Sequence, residues 1–453
     1  MKNRVNLWFV SKALRSYFSP MKCLSFRLLI CSSFLTALTS LVAGQPNQAG
    51  QIVYIGIDSN IYLLDPDTMV STQLTDDARA TNERSISYQY PTWSRTGELA
   101  FVRYDASSDG RQNVSIGRYR PGSRVSYTDH LDGVVPFYLY FSPGGRYLSM
   151  LGNQASAGTL GLLLLPRNES AGRVVASGQP FYWDWLPGDD EFVVHSGGST
   201  RSDEISVRSV REDSIEETGV RPGVFQAPAV GPKGRLVALA RNRDGETELI
   251  VSNRDASLYH SFPSYPGVQA FDWSPTKEIL AVVEGRNSPM GGLIGNLKLL
   301  DLGDPENPIV TNTGIENSGP FFWSPDGRWI AVFRPNVLRG DSGPVLVMRV
   351  DIYDVERNTN RRIASYVPDI QFLAQVAPFY DQYQRSATIW SPDSSRIVIT
   401  ATTPDRLPGI FVLDIDERVE DQLDLPAGSM PVVYRPVRHN GEYVAGRYPF
   451  WSW

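Results

Sequence analysis

Few residues in this 453-residue chain have types suited to catalysis. There are four histidines, His130, His195, His260 and His439. None has a second histidine or a cysteine two or four positions on, so the helical His-x-x-x-His and His-Glu-x-x-His arrangements that hold zinc are absent. Both cysteines, Cys23 and Cys31, fall within the first 44 residues. The body therefore offers no thiol nucleophile, no disulfide framework and no thiolate metal site. The hydrolase elbow Gly-x-Ser-x-Gly is missing. Its nearest relative, Gly197-Gly198-Ser199-Thr200-Arg201, lacks the closing glycine. Carboxylates cluster at Asp65-Pro66-Asp67 and over Asp105–Asp109, without the alternation of ligands a calcium loop requires. No phosphate-cradling or dinucleotide glycine pattern occurs. Catalytic, metal-binding and cofactor-binding residues are accordingly expected to be none. Paired carboxylates brought together from distant segments remain one route to chemistry, of the kind glycosidases use.

Charge sharpens this picture. The net charge of −6 divides into a leader of six basic and no acidic residues (1–44) and a body with 37 basic and 49 acidic groups. An acidic body argues against nucleic acid as a partner. Residues 28–43 are an apolar run behind basic residues, followed by Gly44-Gln45-Pro46. Basic, apolar and small-residue regions in that order read as an export signal, with Val42 and Gly44 at positions −3 and −1 of cleavage. Met21-Lys22 offers a second start. The rival reading is an uncleaved anchor, because a run of this length just spans a bilayer. Membrane contact is expected only through this segment. The expected division is 1–44 as leader or anchor and 45–453 as one domain.

One pattern positions everything else: an aromatic, Ser-Pro, a small polar turn, then an apolar strand. The clearest copies are Trp323-Ser324-Pro325-Asp326-Gly327-Arg328-Trp329-Ile330 and Trp390-Ser391-Pro392-Asp393-Ser394-Ser395-Arg396-Ile397, followed by Trp273-Ser274-Pro275. Weaker copies begin at Trp93, Phe141 and Trp185. One around Val230-Gly231-Pro232 has lost its aromatic, and a degenerate one begins at Tyr434. Successive spacings are 48, 44, 45, 43, 50, 67 and 44 residues. Each unit contains short apolar runs separated by turn signals, for example Tyr147–Leu151, Leu160–Leu165 and Arg173–Ala176. Four strands every 45 residues describe the blade of a β-propeller. Pro presets φ at the turn, Asp or Ser bonds the local backbone, and Gly accepts positive φ. The recurring Trp, Ser, Pro, Asp and Gly are thus read as turn and packing residues.

The fold expected is all-β: a propeller of eight blades, with seven as the alternative. Residues 51–76 supply later strands of a unit without its opening motif, and the C-terminal region supplies a motif without its later strands. Joined, they share a blade and close the ring, which removes exposed strand edges. The terminal Arg447-Tyr448-Pro449-Phe450-Trp451-Ser452-Trp453 is expected to pack on the propeller rim.

The string Phe-Phe-Trp-Ser-Pro-Asp-Gly-Arg-Trp-Ile-Ala-Val-Phe at 321–333 resembles the TolB-type propeller repeat, a WD-repeat-like family. The resemblance covers residues 51–446 as a pattern. It implies an extracytoplasmic propeller that binds proteins or other ligands. The chain departs from TolB itself in beginning its repeat close to the leader, with no room for TolB's preceding α/β domain, which argues against a Tol–Pal role.

Binding residues concentrate on long loops of rigid scaffolds. The strand 2–3 and 4–1 connections, 103–112, 196–204, 284–296, 333–345 and 366–388, read as long and irregular. The same face gathers Arg103, Asp105, Arg241, Arg243, Glu284, Arg286, Arg334 and Arg339, and Tyr380, Asp381, Tyr383 and Arg385 lie in the largest excess. Tyr and Arg are favoured interface anchors. The function expected is a monomeric, exported, non-catalytic scaffold binding a protein or an envelope glycan on this long-loop face, with no cofactor. The alternative is a carbohydrate-active lyase or hydrolase with its site at the axis.

Overall fold

A computed structural model describes residues 50–453 apart from 155, 198–203, 212–214, 219–226, 235, 244–245, 255–258, 264–268, 288–292, 305, 341–342, 404 and 417–442. The leader and the copy at Tyr434 lie outside the described residues.

The repeat folds as its chemistry dictates. In the clearest copy the strand Phe321–Trp323 is buried throughout. Ser324 then closes the turn: Gly327 N–H donates to its carbonyl at 2.9 Å, and its Oγ donates to Asp326 Oδ1 at 2.6 Å. Trp329 N–H returns to Ser324 Oγ at 2.9 Å, which starts the second strand in register. Gly327 has φ +70°, and an added Cβ would lie 2.3 Å from Thr276 Oγ1. Ser391 and Asp393 repeat these bonds, with Ser394 at φ +60° in the glycine position. The turns also link to each other, since Asp326 N–H donates to Ser394 Oγ at 3.2 Å.

All described strands pair antiparallel along the chain, giving five four-stranded sheets, one five-stranded and one six-stranded. The motif aromatic stitches neighbouring sheets. Trp273 Nε1 donates to Ala229 O at 3.0 Å, Trp323 Nε1 to Asp272 O at 3.2 Å, and Trp390 Nε1 to Phe322 O at 2.9 Å. Trp93, Phe141 and Trp185 are buried at the ends of their strands. Pro232 occupies the turn after Ala229–Val230. The result is an all-β propeller whose core lies between adjacent sheets.

The terminal strands share one sheet, ordered Arg396–Thr402, Pro408–Asp414, Val444–Trp451, Ile52–Gly56, Ile61–Leu64, Ser71–Gln73. Two expectations change here. First, Val444–Trp451 pairs on both sides, through Gly409↔Ala445 to one strand and through Ile52↔Trp451 to the other. Among the described residues the hydrogen-bonded sheets therefore number seven, because this strand fuses the last internal unit with the terminal one. Second, the C-terminal aromatics are not a rim tail. They form the closing strand, with Phe450 and Trp451 buried.

Several connections read as loops are strands. The chain pairs continuously from Trp329↔Asp354 to Gly340↔Gly343, so 333–340 is half of a long hairpin arm. Residues 103–107 lie in Leu99–Ser107, and 284–287 in Ile279–Asn287. Among the described residues, no helix is long and apolar enough to cross a membrane.

Candidate functional site

The largest insertion, between the strand Thr359–Tyr366 and Trp390, folds inward. A π-helical turn Phe372–Val376 and a 3-10 turn Ala377–Phe379 lead into the α-helix Tyr380–Ser386. Pro378 suits the entry to a helical segment because its missing N–H is unneeded there. Asp381 in the first turn and Arg385 in the last complement the helix dipole.

This helix is a plug on the propeller axis. Tyr383 stacks on Phe450 of the closing strand, with ring centroids 6.3 Å apart, and meets Tyr138 edge-on at 5.6 Å. Tyr380 packs edge-on against Phe321 at 5.5 Å. Tyr138 Oη donates to the Gln382 carbonyl at 2.8 Å. One short helix thus touches strands drawn from widely separated units.

Arg385 anchors its C-terminal end, with only 4% of its side chain exposed. Its Nε donates to Asp272 Oδ1 at 3.1 Å, and its Nη1 lies 3.7 Å from Asp184 Oδ2. The remaining guanidinium N–H groups reach the carbonyls of Pro228 and Phe271. Asp184 also accepts from Val230 N–H at 2.7 Å, Trp185 N–H at 2.9 Å and Tyr140 Oη at 2.9 Å. Burial pushes the Asp272 carboxyl up to about 7, with Arg385 opposing and Asp184 adding to the rise. Burial likewise raises Asp184. Burial works against the charge on Arg385, yet the two carboxylates hold it above its ordinary value. Two buried carboxylates bridged by one guanidinium make a lock that fixes the plug.

Below the plug, a funnel of about 210 Å³ opens on the face of the Ser-Pro turns. Its walls include Trp185, Trp273, Trp323 and Trp453, with prolines of the same turns. Gln384, Arg385 and Ser386 form the floor, and Asp184 and Asp272 line it. The Gln384 side-chain amide is buried with neither atom bonded. Trp453 Nε1 donates to Trp93 O at 3.1 Å, and Arg95 lies over the Trp453 ring at 4.7 Å.

The residues singled out in the sequence are dispersed. Arg103 pairs with Asp77 and Asp105, both at 2.9 Å, while Arg84 reaches Asp105 at 2.5 Å. Hydrogen bonds from Arg84, with Arg103, hold the Asp105 carboxyl down at about 2. Glu284 bonds Lys298 at 2.6 Å, and Arg334 bonds Asp351 at 2.8 Å. These charges are already neutralised within their own sheets. Arg241, Arg243 and Arg286 lie in strands, and Arg339 in a hairpin arm, with side chains outside the described set. Tyr380, Asp381 and Arg385 are not surface anchors: they are buried in the channel, and Tyr383 is half-buried beside them. The insertion is apolar enough to be drawn into the core, which the long-loop reading missed. Asp184 and Asp272 were also missed, although a signal exists. The residue before the motif aromatic is charged in these two copies alone.

The chain matches no family model and no curated protein sequence. Among solved structures it is distantly similar to TolB from Acinetobacter baumannii, at 15% identity and TM-score 0.33, over 59% of this chain and 65% of that one. It is similar also to the β-propeller domain of the Trilobed protease from Pyrococcus furiosus, which has an open velcro topology. That match is at 9% identity and TM-score 0.47, over 73% and 96% of the two chains. Hydrazine synthase from Kuenenia stuttgartiensis matches at 12% identity and TM-score 0.40, over 72% and 94%. These likenesses concern the propeller fold, not a function.

Proposed function

We propose that this chain is an exported, non-catalytic propeller scaffold, and that it binds a protein segment or an envelope glycan in the axial funnel on its Ser-Pro-turn face. The observation that carries this reading is the plug. It fills the channel from within and leaves one shaped, aromatic-walled depression with a few polar groups at its base, the usual character of a ligand site. Among the described residues of the long-loop face, Arg103, Asp105, Glu284 and Arg334 are paired within their own sheets, which favours a site away from that face. Export rests on the leader sequence. The ring is read as eight blades, with the six-stranded sheet holding the strands of two. Its third strand, Val444–Trp451, runs on into Ser452-Trp453, giving Trp-Ser-Trp where the units at Trp273, Trp323 and Trp390 have Trp-Ser-Pro.

The alternative is a carbohydrate-active enzyme, favoured by Asp184 and Asp272 converging at the axis and by the Asp272 carboxyl at about 7, a value suited to a general acid. Tryptophan fluorescence of the mature protein, titrated with envelope oligosaccharides and with envelope-protein peptides, tests both. Saturable quenching that weakens at least tenfold in Trp453→Leu, with no turnover, supports the scaffold. Sugar release abolished by Asp272→Asn installs the enzyme instead. No saturable change with any probe overturns the funnel as the site.

A further inference from the structure

A second cleft, of about 530 Å³, shares no lining residue with the axial funnel. It lies where the strands Gln112–Tyr119 and Ser126–Thr128 meet the end of Thr159–Pro166 in the next sheet. Four arginines line it, Arg118, Arg120, Arg124 and Arg167, against two carboxylates, Glu98 and Glu169. The cleft therefore carries an excess of two positive charges on a chain whose net charge is −6.

One buried carboxylate serves three of the four guanidiniums. Glu98 is 2% exposed and lies 2.7 Å from Arg120, 3.3 Å from Arg167 and 3.5 Å from Arg118. Arg118 spends its terminal nitrogens on the carbonyls of Leu165, Pro166 and Arg167. Its Nε and that of Arg167 are the atoms that face Glu98, at 3.5 and 3.3 Å, without completing a hydrogen bond. Arg124 is exposed and makes no hydrogen bond or ion pair among the described residues. Burial lowers the Arg118 pKa; Glu98 opposes this, and the charges of Arg120 and Arg167 lower it further. Gathering like charges around one saturated carboxylate is unfavourable unless an anion joins them. Hydroxyls of Ser126 and Ser170 line the same cleft as further donors.

We propose that this cleft binds a tetrahedral oxyanion, the terminal phosphate or sulfate group of a larger ligand, gripped by Arg120, Arg124 and Arg167. Planar guanidiniums present parallel N–H pairs that match the oxygens of such a group, and a phosphate monoester, at a charge near −2, balances the local excess more fully than a singly charged sulfate ester.

The test is isothermal titration of the full chain with inorganic phosphate and, separately, with sulfate, at constant ionic strength set with chloride. Saturable binding of either ion is expected, weakened at least tenfold in Arg120→Gln/Arg124→Gln. Arg124→Gln alone, which removes no protein contact, is expected to weaken binding at least threefold at an unchanged melting temperature. Phosphate affinity rising between pH 5 and 8 beside a flat sulfate profile assigns a phosphate ester, since phosphate gains its second charge within that range and sulfate does not change charge. Sulfate binding alone assigns a sulfate ester. No binding of either ion, or equal affinity in both variants and wild type, overturns the proposal.

Discussion

Arg385 shows how one side chain changes meaning with its surroundings. As an exposed anchor its loss would affect only partner capture. In the channel its loss leaves Asp184 and Asp272 buried without their counter-charge. Breaking a buried pair of this kind costs about 3–5 kcal/mol, so Arg385→Gln is expected to lower stability by that amount in urea unfolding. The triple variant Arg385→Gln/Asp184→Asn/Asp272→Asn is expected to recover part of it. Asp272 itself gives a pH signature. Its carboxyl sits at about 7 in the folded chain, above the ordinary carboxylate range, because burial disfavours the charge. The folded chain therefore keeps a proton that the unfolded chain releases near pH 4. The associated stability is fully present below about pH 4 and is lost as pH rises through 7. Asp272→Asn is accordingly expected to gain on wild type in thermal unfolding between pH 4 and 7. A gap moving the other way would mean that attraction to Arg385 outweighs burial.

At the scale of the element, the plug helix is too short to persist alone, and packing holds it in place. Tyr380 is 2% exposed, and its hydroxyl is buried without a partner. Tyr380→Phe is expected to raise stability by about 1 kcal/mol by removing that unpaired group. Tyr380→Ala is expected to lower it by about 3–5 kcal/mol through the cavity left against Phe321. Denaturant midpoints of the two variants check both. The repeated turn makes a separate prediction. Gly327 needs positive φ and has no space for a Cβ beside Thr276, so Gly327→Ala is expected to cost about 1–2 kcal/mol. Ser394 occupies the same turn position at φ +60°. Ser394→Gly relieves that conformation but removes the bond from Asp326 N–H to Ser394 Oγ, so little net change in stability is expected.

At the scale of the molecule, closure depends on the last ten residues. Val444–Trp451 pairs with strands from both ends of the chain, and Ser452 N–H adds a bond to the Gln51 carbonyl at 2.8 Å. The same strand supplies Phe450 to the plug. A chain ending at Tyr443 loses the clasp and one wall of the plug together. It is expected to open at the terminal sheet, detected as proteolytic cleavage within residues 50–75 and a larger hydrodynamic radius. Cleavage sites unchanged from wild type would show that the internal sheets hold the ring without the clasp.

The repeat was legible because its physics is local. Pro, Asp and Gly specify a turn within four residues, and alternating apolar runs specify the strands on either side, so the Trp323 and Trp390 copies declare their structure directly. The sharing of a sheet by the chain ends was legible for a related reason: strands 51–76 lacked a partner. What was not legible was anything decided between units. No periodicity marks Tyr380–Ser386 as a plug, because its burial depends on side chains from Tyr138, Asp272, Phe321 and Phe450, far apart in the chain. Nor could charge counts show that Arg103 and Arg334 meet carboxylates in their own sheets. The sequence alone determined an all-β propeller with its turn chemistry and its unpaired ends, since those follow from backbone preference and hydrophobic period. Only the tertiary structure decided which strand closes the ring, what occupies its axis and which face carries a cavity, because each is set by contacts at long sequence separation.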